Sequence, residues 1–247
     1  MSPASRDVPI AGLIPFSTVD WPDRLCAVLF TQGCPWRCGY CHNPALIETR
    51  APSRHRWEDL LAWLRRRRGL LDGVIFSGGE PTLHPGLLDA VRSVHEEGFA
   101  VGLHTGGPWP RRLASLLPHL DWVGLDVKAT PAGYPAVTGA GPSGAAAYES
   151  LRLLVASGVD HEVRTTVDPT VHTRDDVLEI AALVAAAGAR QHVLQEARDV
   201  GQSVAWRARL RHRRLSDVLE PGDLPQCERR GLATDRLGSA RSVAALP

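Results

Sequence analysis

Residues 25–41 read Leu25-Cys26-Ala27-Val28-Leu29-Phe30-Thr31-Gln32-Gly33-Cys34-Pro35-Trp36-Arg37-Cys38-Gly39-Tyr40-Cys41. The stretch opens as an apolar run of strand length, Leu25 to Thr31, and passes directly into a loop with three cysteines. Five further runs of strand character follow: Gly73 to Ser77, Ala100 to Thr105, Trp122 to Val127, His161 to Val167 and Gln191 to Leu194. Between them lie Trp57 to Arg67, Pro85 to Glu97, Trp109 to Leu117, Ala145 to Ser157 and Asp175 to Ala187. Most carry apolar residues three and four apart, the spacing of a helix with one buried face. Pro85 suits a helix start, and Gly98, Gly158 and Gly188 suit helix stops. Strands alternating with helices predict an α/β fold with a parallel sheet, because parallel neighbours need a crossover and the crossover is normally a right-handed helix. About six such units make either an open, partial barrel or a doubly wound sheet. Both place chemistry at the carboxyl ends of the strands. The unusual polar and glycine-rich residues fall there: Gln32 to Cys41, Ser77 to Pro81, Thr105 to Gly107, Asp126 to Lys128, Thr165 to Pro169, and Gln195.

The cysteines are Cys26, Cys34, Cys38, Cys41 and Cys227. Met1 to Pro9 has no apolar core of signal-peptide type, and no later stretch is long enough to span a bilayer, so a cytoplasmic protein is expected. An odd count crowded into one segment then argues for a metal or redox site over a disulfide framework. Thiolates suit soft metals, and an iron–sulfur cubane has four corners, so three cysteines leave one iron open. Two alternatives stand beside this: a zinc site completed by His42 or Cys227, and an electron-transfer cluster completed by Cys227. Structural zinc sites usually add a second distant ligand pair, which is missing here. Cys26 reads as a small core residue within its strand. A formal net charge of +1 over 247 residues provides no global field toward nucleic acid or an anionic membrane, and neither is expected as a partner.

Two other strand ends carry chemistry. Val74-Ile-Phe-Ser-Gly-Gly-Glu-Pro81 ends in glycines that let backbone approach a ligand, and in a carboxylate, Glu80, that can accept from an ammonium group. Asp126-Val127-Lys128 sets an acid beside a lysine, a pair that on its own is more often surface decoration.

Taken together these segments are familiar. Thr31-Gln-Gly-Cys-Pro-Trp-Arg-Cys-Gly-Tyr-Cys-His-Asn-Pro44 resembles the cluster-binding segment of the radical S-adenosylmethionine superfamily, in particular its glycyl-radical-activating branch. The likeness reaches back to Phe16-Ser-Thr-Val-Asp-Trp-Pro22 and forward to about Arg198. Within the branch it is most similar to anaerobic ribonucleoside-triphosphate reductase activating proteins, with pyruvate formate-lyase activating enzymes as relatives. The resemblance implies a radical SAM core over residues 10–198 folded as a partial (β/α)6 barrel, open and TIM-like. It implies a [4Fe–4S] cluster on Cys34, Cys38 and Cys41, where S-adenosylmethionine is reductively cleaved. Around the cofactor it implies Tyr40 near the adenine, Gly78, Gly79 and Glu80 at the amino group, Thr105 after the third strand, Asp126 and Lys128 beside the carboxylate and ribose, and Arg164 reaching in from the fifth strand. Gln195 and Arg198 resemble a further Gln-x-x-Arg element. The implied partners are anaerobic ribonucleoside-triphosphate reductase, whose glycine would lose a hydrogen atom, and a one-electron reductant such as flavodoxin or ferredoxin. A radical enzyme of the same superfamily acting on a small molecule or peptide is the alternative.

Two positions depart from the branch. His104 stands where relatives often carry an acid, which puts a cation site in doubt, and Asp23 stands where glycine commonly follows Trp-Pro, which predicts a differently shaped loop. Residues 199–247 mix Gly, Pro, Ser, Arg and Asp with little periodicity and are expected to form an extension or a disordered end; the arginines of Trp206 to Leu215 read as a solvated helix face.

Overall fold

The structure, a computed structural model, describes residues 8–198 and 204–231. One sheet organises it, with strands β1 (Ile10–Ser17), β2 (Cys26–Thr31), β3 (Gly73–Gly78), β4 (Ala100–Thr105), β5 (Trp122–Asp126), β6 (Asp160–Val167), β7 (His192–Glu196) and β8 (Glu228–Arg230). The helices are α1 (Trp57–Arg65), α2 (Leu87–Glu96), α3 (Pro110–Leu116), α4 (Tyr134–Thr138), α5 (Gly144–Ser157), α6 (Arg174–Ala186) and α7 (Val204–Leu210). Spatial order equals chain order, β1 to β8. β1 pairs antiparallel with β2, and every later pair is parallel.

That order decides between the two expected architectures. A doubly wound sheet needs a point where strand order reverses, and this sheet has none. When successive parallel strands are laid down in one direction with crossovers of one hand, the helices all fall on one face and the sheet curls into a partial barrel. β2 is buried at all six positions, as a strand covered on both faces must be. Ala27 and Leu29 face the helices, among Leu60, Phe76 and Val91. Cys26, Val28 and Phe30 face the inside, with Ile75, Trp21 and Trp122.

Trp21 plugs that inner face. Its ring stacks on Trp122 at 5.7 Å between centroids, and a Cβ at Gly73 or Gly102 would come within 3.0 or 3.1 Å of it. The loop that delivers Trp21 turns at Asp23, whose φ of +59° is the left-handed conformation usual for glycine. Aspartate is among the few other residues that adopt it, so the turn forms here without glycine.

The sequence reading omitted β1, α4 and β8. β1 contains Gly12 and Pro15 and breaks register twice, which an edge strand tolerates. The expectation of a disordered end is corrected over residues 204–231. Trp206 and Leu215 are fully buried, Leu215 and Leu219 pack with Val167, Val177 and Leu194, and β8 extends the sheet. Of the arginines expected in solvent, Arg214 pairs with Glu196, and further along Arg230 pairs with Glu162. Residues 199–203 and 232–247 of the expected extension lie outside the described residues. No helix among the described residues is long and apolar enough to cross a membrane.

The seam between β7 and the tail carries a pH dependence. His192 donates from Nε2 to Thr165 Oγ1 at 2.9 Å, while its Nδ1 lies 3.8 Å from Cys227 Sγ. Burial pushes its imidazole down to about 4. An unfolded histidine titrates near 6.5, so between those values the unfolded chain binds a proton that the folded chain refuses, and stability falls as pH falls through the window. Urea midpoints of the metal-free protein should therefore drop from pH 6.5 to pH 4, and less steeply in His192→Gln. Equal slopes in the two proteins would refute this.

Candidate active site

The cysteine loop leaves the carboxyl end of β2 and is pinned along its length. Gly33 N–H donates to Leu46 O at 2.7 Å, Cys34 N–H to Ile47 O at 3.2 Å, and Arg37 N–H to Thr138 O of α4 at 2.7 Å. Trp36 turns inward, edge-on to Tyr134 with ring centroids 5.8 Å apart, and lies so close to Gly106 that a Cβ there would sit 2.1 Å from its ring. Cys34, Cys38 and Cys41 are free, partly buried thiols. Burial raises all three, Cys34 to about 12, against opposing influences that favour the thiolates. Those are backbone hydrogen bonds from Trp36 to Cys34, from the Cys38 amide to its own sulfur and from Asn43 to Cys41, and the positive charge of Lys128 on all three.

This donor set fits an iron–sulfur cluster. A thiol that is protonated when free gives up its proton to metal, and amide donors with a nearby cation stabilise the anionic sulfur that results. A further sign is Tyr40, whose buried hydroxyl has no hydrogen-bond partner among the described residues; buried polar groups are rarely left so.

Lys128 joins the loop to the end of β5. Its Nζ lies 5.7 Å from the centre of the Trp36 ring and 5.8 Å from that of Tyr40, within cation–π range. It also reaches Asp126 Oδ2 at 3.3 Å, while Arg164 Nε donates to Asp126 Oδ1 at 3.0 Å. Burial works to raise the Asp126 carboxyl, but Lys128 and Arg164 together bring it down to about 2. The position that departs from the branch, His104, sits beside this group. Its ring contacts Asp20 O through Nε2 at 2.9 Å and Ser77 Oγ through Nδ1 at 3.3 Å. Burial and then the Arg164 charge hold it down to about 4, so it is neutral near pH 7 and brings no negative charge to the site.

The Gly-Gly-Glu turn adjoins from β3. Gly78 has φ +113°, and a Cβ on it would lie 2.4 Å from Thr31 N; one on Gly79 would lie 2.1 Å from Gly33 O. These glycines are thus required by backbone packed against the cysteine segment, where Gly79 N–H donates to Thr31 O and Glu80 N–H to Gly33 O. Glu80 is buried. Its Oε1 accepts from Thr82 N–H, Thr82 Oγ1 and Thr105 Oγ1, and its Oε2 from Gly106 N–H at 2.8 Å. Burial still pushes its carboxyl above the usual range.

Lys128 therefore links the cysteine loop, through the Trp36 and Tyr40 rings, to Asp126 and Arg164, while Gly78, Gly79, Glu80 and Thr105 brace the adjoining loops. Gln195 accepts from Thr166 Oγ1 at 3.4 Å on neighbouring β6, and the charge of Arg198 reaches His42. Sequence reading gave no role to Trp36 and Tyr134, visible only as aromatics near the motifs, to Asp168, which fell within the polar strand end Thr165 to Pro169, or to His172 and Trp206, which carried no signal.

A family model described as the radical SAM superfamily matches residues 28–184. The chain belongs to the radical SAM superfamily. A Methanocaldococcus jannaschii protein named as a glycyl-radical enzyme activating enzyme is 28% identical over 71% of this chain and 75% of its own length. A pyruvate formate-lyase-activating enzyme of Clostridium pasteurianum is 32% identical over 64% of this chain and 68% of its own. Among solved structures, that of TYW1 with a lysine-pyruvate adduct bound overlays with a TM-score of 0.55 at 18% identity, covering 72% of this chain and 66% of that one, a likeness of fold. The curated relatives set this radical SAM enzyme in the glycyl-radical-activating branch. Its cofactors are those of the superfamily, a [4Fe–4S] cluster and S-adenosylmethionine.

Proposed function

We propose that this radical SAM enzyme activates anaerobic ribonucleoside-triphosphate reductase in the cytoplasm, holding its cluster on Cys34, Cys38 and Cys41. The reading rests on one juxtaposition: Lys128, at the end of β5, faces both aromatic rings of the cysteine loop and acts on all three thiols. When bound there, the cluster and S-adenosylmethionine supply the reductive cleavage that yields methionine and a 5′-deoxyadenosyl radical able to take hydrogen from a partner's glycine.

The chain's own residues bind and orient. Lys128 offers a compact charge to the methionine carboxylate, and Asp126 and Arg164 hold that charge in place. Oε2 of Glu80, with one donor, keeps room to accept from the amino group. Trp36 and Tyr40 wall off water, which strengthens these interactions. The partner is suggested by the likeness of Thr31 to Pro44, while the Clostridium relative supports pyruvate formate-lyase as a second reading. The test is anaerobic EPR with assay of 5′-deoxyadenosine, adding reductant, S-adenosylmethionine and each candidate partner in turn. A glycyl-radical doublet with the ribonucleotide reductase alone is the expected result. A doublet only with pyruvate formate-lyase would move the assignment, and cleavage without either doublet would point to a small molecule or peptide.

A further inference from the structure

α7 comes from the segment with the weakest sequence pattern, yet it lies against the cysteine loop. Trp206 is fully buried, and a Cβ on Gly39 would meet its ring at 2.6 Å. Gly39 lies between Cys38 and Tyr40. The indole N–H donates to Asp168 Oδ2 at 2.8 Å, at the end of β6. Asp168 is itself fixed. Its Oδ1 accepts from Thr170 N–H at 2.8 Å, and its backbone N–H donates to His172 Nδ1 at 3.0 Å. With Nδ1 accepting, His172 carries its proton on Nε2 and donates it to Lys128 O at 3.0 Å. A chain of contacts thus runs from the backbone of Lys128 through His172, Asp168 and Trp206 to the glycine of the cysteine loop.

The loop's other backbone and packing supports lie before residue 38: the amides of Gly33 and Cys34 on Leu46 O and Ile47 O, Trp36 against Gly106, and Arg37 N–H on Thr138 O. Within residues 38–41, where two of the three cysteines lie, Lys128 faces the Tyr40 ring at 5.8 Å, and Trp206 packs directly on the backbone at Gly39.

We propose that Trp206 is a positioning residue for the cluster, holding Cys38 and Cys41 in register by seating Gly39 on an indole anchored to Asp168. The inference rests on those cysteines being cluster ligands, and it makes α7 part of the active site. It also accounts for glycine at position 39, whose φ is not in the left-handed range and whose place is set by the ring above it.

The test uses the full chain. In Trp206→Ala, iron retained after anaerobic reconstitution and desalting should fall on the order of tenfold, the scale expected for a group that orients metal ligands. The amides of residues 38–41 should exchange hydrogen faster in the metal-free protein. Gly39→Ala should lose iron to a similar degree in the wild-type background, yet add no further loss in Trp206→Ala, where the ring it strikes is gone. If Gly39→Ala is equally harmful with or without Trp206, or if loop exchange is unchanged in Trp206→Ala, the proposal is overturned. Should Trp206→Ala fail to fold, the same pairing is read with Trp206→Leu. Cys38→Ala serves as the control: wild-type iron in that variant would sink the ligand assignment, while the exchange result in the metal-free protein would still report on the loop.

Discussion

Replacing any one of Cys34, Cys38 or Cys41 by alanine should abolish S-adenosylmethionine cleavage, whereas Cys227→Ala should stay near wild type. The contrast follows from where the sulfurs sit. Three lie in one pinned loop under the charge of Lys128, with a backbone donor aimed at each of them. Cys227 is buried in a separate apolar group with Val167, Leu194 and Leu215, its sulfur 3.8 Å from His192. A lost ligand leaves the cluster two points of attachment, so the effect should exceed the roughly 10- to 100-fold typical when only an outer partner of a metal site is removed. Loss of the Cys227 sulfur should cost only on the order of 1 kcal/mol of stability. Iron content and 5′-deoxyadenosine formation after anaerobic reconstitution decide the matter. Retained cleavage in any of the three loop variants, or loss as deep in Cys227→Ala, would overturn the assignment.

The six central strands were legible because each is an apolar run that stops at polar or glycine-rich residues, and a strand in a parallel sheet has little other way to be written. The choice between a partial barrel and a doubly wound sheet was not legible in that pattern, since both share the same run of strands and helices and differ only in spatial order; it came from the resemblance of the cysteine segment. β8 was hidden for a simpler reason. Glu228-Arg229-Arg230 has no apolar residue, and it is held by backbone pairing to β7 and by Arg230 on the buried Glu162. The cysteines, Gly-Gly-Glu and Asp-x-Lys were legible as local motifs. Their physical roles were less so: Gly78 and Gly79 were expected to admit a ligand, yet their own backbone neighbours already demand them. Trp206 and Asp168 are 38 residues apart, and no periodicity links a tail tryptophan to a loop glycine.

Glu80 is where the motif and the packing make separable claims. Glu80→Ala removes the acceptor from two backbone amides and two hydroxyls in a buried place. The hydroxyls can turn elsewhere, but the amides of Thr82 and Gly106 are fixed by the backbone. With each orphaned donor costing about 1–3 kcal/mol, destabilisation on the order of 3 kcal/mol is expected. Glu80→Gln keeps Oε1 and its three donors while setting an NH2 group against the Gly106 amide, so it should cost less. If Glu80 served only as a brace, S-adenosylmethionine affinity would follow stability, and the glutamine variant would bind better than the alanine. If its negative charge also meets the amino group through Oε2, glutamine forfeits that charge too, and both variants should lose affinity by about 10- to 100-fold, the worth of a charged hydrogen bond. We expect the second pattern, with cluster content unchanged in both. Anaerobic calorimetry of S-adenosylmethionine binding beside urea unfolding of the metal-free protein separates the two; wild-type affinity in Glu80→Gln would leave Glu80 as the brace between β3 and β4 alone.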